Sequence, residues 1–539
     1  MPRITGKLLR TFKRTSKHRQ GESHLLSRRE RLILLFSTVQ FAIATWFIAG
    51  VHLSTQWVLL AAATVNFLML FLPVEFGEAF RVVSVSGREN LRRLFRFPVF
   101  WFGLVWILYI VVQDLNHAWT FQRDVEGWWM ARDPFLSWLP SGVQAPLDVS
   151  SAWRLLLRSV PAWLLLCTLW VGLRRRSAVR ALLWIVAVNL FLWALVAVFQ
   201  YIMKPQFMLW FYNTGIGGLY YLNKTTGQMM QNCKYFGTMI NPNHAAAMLN
   251  LGAVAASALG FYYFDRTLKT MARSGPHLIL FIMGAVMLGC VFLAVSRMAI
   301  IIALGIILTL VVLFLIKLWR ERAVLTGGLV PGILITLMGV ACLTVVVMVY
   351  RPHEVKGKMD DTREIINNPQ QNIRYVLNKA GLQMFEKHWL TGWGAGGFRY
   401  FYPIYMKRVP GFPKSFYKSI YDPITATTDH VEVPLFFPFL HNDYLESLIE
   451  YGVLGCLPIL AFIGWIVWKL WQRRVLLGIP ILCLVLGIAL VCTHGLTDFI
   501  FTIPAVTTTL ACLIAATVLH LETEHERVLQ MILEQARRG

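Results

Sequence analysis

Charge, and acidic charge above all, is scarce in this chain: 28 Asp and Glu stand against 51 Lys and Arg, and both signs together make up 15% of 539 residues. A soluble domain of this length needs far more charge to cover its surface. Cysteine is also sparse. Of eight cysteines, only Cys233 sits in a polar stretch, the others lie in or beside apolar runs, and no CxxC pair exists. Neither a metal site nor a disulfide framework is therefore indicated. The long polar segments hold no Asp-rich metal pattern, no Walker lysine-serine follows any glycine run, and there is no solenoid repeat or low-complexity tract. The net charge of +23 comes without an aromatic-interleaved basic groove, which argues against nucleic acid as a partner. Lys and Arg held on one side of a membrane, with attraction to anionic lipid, account for it instead.

What is abundant is apolar surface, with 57% hydrophobic residues and a mean hydropathy of +0.56. Apolar runs of roughly 17–25 residues recur along the chain, each long enough to cross about 30 Å of hydrocarbon. They predict an all-α polytopic membrane protein with about twelve transmembrane helices, near 32–50, 57–73, 98–113, 159–173, 181–201, 245–264, 279–295, 298–316, 324–349, 452–468, 476–493 and 503–519. With the basic tail 1–31 in the cytoplasm, alternate loops carry Arg88, Arg92 and Arg93, then Arg174 to Arg176, Arg266 and Lys269, Lys317 and Arg320, and Lys469 with Arg473 and Arg474. The short opposite loops at 51–56 and 494–502 contain no Lys or Arg. This pattern predicts an inner-membrane protein with both termini cytoplasmic, including the tail 520–539, and the first apolar run reads as a retained anchor. Segments near 114–158, 202–244 and 350–451 then fall on the periplasmic side, the last as a large loop between helices 9 and 10. In it, IRYVLNKAGLQMFEK predicts an amphipathic helix over 373–387.

Four features gather at this outer boundary. Arg297 lies in FLAVSRMAI between two apolar spans, where a cation is costly unless it snorkels, pairs or works. Arg374 opens the amphipathic helix, with Asn378 one turn later. His441 opens HNDYLESLIEYG, where Asn442 and Asp443 are helix-start residues and Glu446 and Glu450 share one face. A histidine there suits general-base work as well as local capping. The sixth span begins NPNHAAA, placing Asn243 and His244 at a helix N-terminus, which can bind an anion or simply be capped. The glycine cluster 392–397 predicts a tight turn and close backbone approach, with Gly394 and Gly396 as candidate substrate contacts. Arginine pairs bidentately with phosphate, and nucleotides are scarce outside the cytoplasm, so a lipid-borne diphosphate is the anion these residues suit. A transporter would instead show charged or broken helices at mid-membrane and matching halves, which the sequence does not.

The order NPNHAAAML, VSRMA, NIRYVLNKAGLQMFEKHWLTGWGAGGF, HNDYLESLIEYGVLG resembles the O-antigen ligase family, a superfamily that includes O-antigen polymerases and bacterial protein O-oligosaccharyltransferases. The resemblance covers roughly residues 236–519. It implies a C-type glycosyltransferase fold and a metal-independent, inverting enzyme without cofactor. The donor it implies is a glycan on undecaprenyl diphosphate, and the acceptor a lipid A-core sugar, a growing glycan or a protein. It also implies that Arg297 and Arg374 are essential arginines toward the diphosphate and that His441 is the base. Asn243, His244, Asn442, Glu446, Gly394 and Gly396 are the substrate contacts expected around them.

Overall fold

The computed structural model describes residues 26–72, 87–123, 128–145, 151–203, 236–270, 275–320, 372–409, 417–421, 430–434 and 437–536. Its helices are α1 (Arg28–Trp46), α2 (Leu53–Leu68), α3 (Gly87–Phe95), α4 (Pro98–Leu115), α5 (Ala152–Gly172), α6 (Arg176–Met203) and α7 (Pro242–Thr270). They continue with α8 (His277–Leu293), α9 (Arg297–Arg320), α10 (Ile373–Lys387), α11 (Phe398–Met406), α12 (Asp443–Gln472), α13 (Ile479–Cys492) and α14 (Pro504–Ala536). Every expected span overlaps one of them except 324–349, which lies outside the described residues. Eight of the described helices are long and apolar enough to cross a membrane; α2 and α8, also apolar, are shorter, at 16 and 17 residues.

Small residues set how these helices pack. Helix α7 is buried almost along its whole length, because Ala245, Ala246 and Ala247 and the glycines let neighbours approach closely. A Cβ on Gly252 would sit 2.7 Å from Met287 Sδ, and one on Gly487 of α13 would sit 2.3 Å from Val254. Helices α4 and α12 lie at the opposite extreme. Trp101, Val105, Leu108 and Leu115 form an outward stripe on α4, and Leu457, Leu460, Ile463 and Val467 do so on α12. Exposed stripes of this kind need a hydrocarbon solvent.

The fold is helical as expected, and the polar segments add two small sheets to it. Strands β1 (His117–Arg123), β2 (Trp128–Arg132) and β3 (Gly142–Gln144) form a sheet of order β2-β1-β3, antiparallel on one side and parallel on the other. Strands β4 (Tyr417–Tyr421) and β5 (His430–Pro434) form an antiparallel pair. The physical reason lies in segments such as HAWTFQR, which alternate rather than repeat every 3.6 residues and lack the length of a span.

The sheet β2-β1-β3 shares with α10, α11 and the start of α12 a core separate from that of the membrane helices. Val376, Leu377, Ala380 and Met384 occupy one face of α10 and pack on Phe398, Phe401 and Tyr402 of α11, on Val143 of β3, and on Ile449. Trp119 of β1 meets Phe401 edge-on at 5.4 Å, and Trp393 donates its indole N–H to Met384 O at 2.9 Å. The lobe joins the bundle through close backbone contact. In α12 the chain kinks at Gly452 (φ 63°), and Val453 N and Leu454 N donate to Trp389 O and Leu390 O at 2.9 and 3.0 Å. A Cβ on Gly452 would stand 2.4 Å from Leu390 O, so no other residue fits there.

The two ends of the bundle differ in their polar groups. At one end Glu30 completes the capping box of α1 and accepts from Arg174 N and Arg175 N at 3.0 and 2.9 Å. Arg174 also pairs with Glu89 at 2.8 Å, Lys469 with Glu522 at 3.2 Å, and Arg176 with Glu524. The hydrogen bond from Arg174 holds the Glu89 carboxyl below its ordinary range. The other end gathers the starts of α7, α9 and α12 and the connection from α13 to α14.

Candidate active site

At that second end a buried aspartate, Asp498, is the centre of the polar groups. It follows a 3-10 turn (Thr493–Leu496), where its N–H donates to His494 O at 3.1 Å. His441 Nδ1 lies 3.1 Å from Asp498 Oδ1, and Phe499 N donates to the same oxygen at 2.9 Å. Arg374 approaches Oδ2 at 3.7 Å, and Asn243 donates its side-chain N–H to Oδ2. His244 Nε2 stands 3.8 Å from Oδ1. Burial would push this carboxyl up, but the His244 and His441 rings beside it outweigh that and hold the group well below the usual carboxylate range.

Each donor is fixed by its own local structure. Asn442 caps α12, its side chain accepting from Leu445 N at 3.2 Å, and its amide donates to Asn378 Oδ1 at 3.1 Å. Asn378 in turn donates to Arg374 O at 2.8 Å, and Asn372 caps α10 by accepting from Arg374 N at 2.9 Å. The lobe helix carrying Arg374 is thus tied to the helix start behind His441. On the far side, Asn241 accepts from Asn243 N at 2.9 Å and opens α7. The Phe499 ring is the floor: His244 and His441 meet it edge-on at 4.8 and 4.9 Å, and Phe439 stacks on it at 4.5 Å.

His441 holds φ at 61°, a left-handed backbone that costs a non-glycine residue on the order of 1–3 kcal/mol. Val295 (φ 52°), just before Ser296 and Arg297, is in the same region. Both α9 and α12 are therefore entered through a strained residue at this end. Arg297 is exposed. Gly305 faces Leu490 of α13, and eight residues at the helical rise are about 12 Å, which lifts Arg297 to the height of the 493–498 turn.

The expected residues thus separate into two layers. Arg374, His441, Asn243 and His244 meet at Asp498, with Asn442 immediately behind, and Arg297 shares their end of the bundle. Glu446, Gly394 and Gly396 lie in the adjoining layer. Glu446 accepts from Leu440 N at 2.7 Å. A Cβ on Gly394 (φ 91°) would stand 2.2 Å from Gly142 Cα, so this glycine permits contact between lobe and sheet. Gly396 lines a cavity of about 30 Å³ with Glu446, Glu450, Asp443 and Arg158, the volume of one or two waters. Arg158 of α5 is buried there and lies over the Phe439 ring at 5.7 Å, while Asp443 accepts from Phe501 N at 3.0 Å. The layer thus braces Leu440, Phe439 and Phe501, which flank the groups at Asp498.

Sequence reasoning did not single out Asp498 or Arg158. The signal for Asp498 was available: between Arg474 and Glu522 it is the sole Asp, Glu, Lys or Arg. A lone acid between two apolar spans is costly and usually functional. Arg158 falls ahead of the expected start of its span, where a cation looks like ordinary boundary charge. Among the described residues no group of three or more His, Cys, Asp or Glu could hold a metal ion.

A family model described as O-antigen ligase matches residues 282–460, the family that the four motifs resemble. The match includes Arg297, Arg374 and His441, whereas Asn243, His244 and Asp498 lie outside it. No curated protein matches the chain.

Proposed function

We propose that this protein is an O-antigen ligase-type glycosyltransferase that moves a glycan from a polyprenyl-diphosphate carrier to a sugar hydroxyl at the periplasmic face of the inner membrane. The observation that carries the reading is the His441–Asp498 contact at 3.1 Å with Arg374 on the same carboxylate. Asp498 accepts the Nδ1–H and so fixes the tautomer in which Nε2 of His441 is the basic nitrogen. Nε2 takes the proton from the acceptor hydroxyl as its oxygen attacks the anomeric carbon. The bond from that carbon to the diphosphate oxygen breaks, its electron pair leaves with the carrier diphosphate, and attack opposite the leaving group inverts the centre. Arg374, two-fifths exposed, and Arg297 neutralise the charge that develops on the departing diphosphate. In this reading Asn243 and His244 complete the polar wall around Asp498, and Asn442 holds His441 and Arg374 in register.

The acceptor is proposed to be a lipid A-core sugar. A lipopolysaccharide gel from a deletion strain tests this, with complementation by the wild-type chain as control. Lipid core without polymer is the expected outcome. A single repeat unit on core would instead identify a polymerase, and normal lipopolysaccharide with altered glycoproteins a protein-directed transferase. Because the charge neutralisation is assigned to arginines, transfer in membranes should persist after EDTA treatment; loss reversed by a divalent ion would overturn that assignment.

A further inference from the structure

Beyond the reaction, we infer that the turn at residues 136–139 is an interfacial anchor that seats the lobe on the lipid bilayer at the end of α4. Leu136 and Trp138 are 53% and 76% exposed, although both are large and apolar. The turn that presents them is tightly held. Asn116, directly after α4, donates to Leu136 O, Leu139 O and Pro140 O at 3.0, 3.4 and 3.1 Å, and accepts from Leu136 N at 2.8 Å. A clamp on both backbone polarities fixes these side chains outward, so their exposure is built into the turn.

The occupant follows from continuity. Trp101, Val105, Leu108 and Leu115 repeat at helical spacing along α4, all outward, and Leu115 at the top is 72% exposed. Asn116 places the turn beside Leu115, so the stripe runs on from the membrane-spanning helix into Leu136 and Trp138. Trp153, at the start of α5 and 49% exposed, lies close to Asp114 on the same rim. Tryptophans with an apolar body and one N–H at such a rim prefer the headgroup level of a bilayer. The anchor reaches the lobe through close contacts: a Cβ on Gly142 would stand 2.7 Å from Gln113 O, one on Gly394 would stand 2.2 Å from Gly142 Cα, and Phe121 meets Tyr400 at 5.3 Å. The depth of Trp138 in the bilayer therefore sets the height of α10 and Arg374 above it.

The test uses the full-length protein in nanodiscs of phosphatidylethanolamine and phosphatidylglycerol. Trp138→Cys and, separately, the exposed lobe position Lys407→Cys are treated with a lipid-soluble or a charged, water-soluble maleimide, and labelling of each peptide is read by mass spectrometry. Position 138 should favour the lipid-soluble reagent over the charged one about ten-fold or more relative to position 407. Equal reaction of both positions with the charged reagent would overturn the anchor, as would protection of position 138 from both reagents, which would mean a protein partner covers it. Leu136→Cys, on the same turn, gives the same readout should the Trp138 variant fail to assemble. Neither result depends on glycan transfer, so the anchor and the proposed reaction fail separately.

Discussion

The two ends of this helix bundle solve the problem of polar groups beside a membrane in opposite ways. At the basic end the acids each take a basic partner of their own, Glu89 with Arg174, Glu522 with Lys469, Glu524 with Arg176, all of them partly in water. At the other end one wholly buried carboxylate, Asp498, gathers His441, Asn243, His244 and Arg374. Matched surface pairs stabilise little and serve topology. A buried acid ringed by donors on α7, α10 and α12 serves no single helix; it brings groups that are distant in sequence to one point. That contrast is why the proposed chemistry is placed at the second end.

The contrast breaks most directly at Asp498. Asp498→Asn should lower transfer about 10³- to 10⁴-fold, the scale on which a histidine loses its orienting carboxylate, with protein level in the membrane unchanged. Measured rates within ten-fold of wild type would remove Asp498 from the mechanism. His441→Ala should cost about 10²- to 10⁴-fold in kcat by loss of the base. For Arg374→Ala about 10²- to 10³-fold is expected, and Arg374→Lys should recover only part of it, because a point charge cannot pair bidentately. Full activity of either alanine variant in a complemented knockout would sink the assignment.

Next in size is the layer beneath. Arg158→Met leaves Glu446 and Glu450 buried without their nearby cation and should destabilise the fold by about 3–5 kcal/mol. Adding Glu446→Gln should restore much of that in a thermal-unfolding comparison, and no recovery would mean that Arg158 acts by packing on Phe439 alone. The smallest effect belongs to the basic end. Arg174→Ala should cost no more than about 1 kcal/mol and leave transfer unchanged, since its pair with Glu89 is partly solvated. A loss of transfer there would erase the distinction between the two ends.

The legible part of the fold was the part with long-period repetition. Spans such as 245–264 and 298–316 stand out because a helix in lipid must satisfy its backbone internally and be apolar over its length. The amphipathic segment 373–387 was legible for the same reason, and α10 has those bounds. The strands at 117–123 and 142–144 were not, because their pairing joins residues whose partners no local pattern names. In the site, Arg297 stood out as a costly cation, Arg374 as the opening of the amphipathic helix, and His441 as a base or cap at a helix start. The glycine cluster was legible as a close backbone approach but its partner was not: Gly394 approaches Gly142, a contact across some 250 residues that spacing cannot reveal.

Composition and charge alternation alone determined that this chain is a membrane protein of many helices with a polar, histidine-bearing boundary, because hydrocarbon thickness and the cost of buried charge act locally along the sequence. The tertiary structure decided which of those boundary residues meet. Asn243, Arg374, His441 and Asp498 come from four separate segments, and only packing of α7, α10 and α12 around the α13–α14 connection sets their distances. A buried carboxylate becomes a centre only when donors from elsewhere in the fold arrive to hold it ionised, and no sequence interval encodes that arrival.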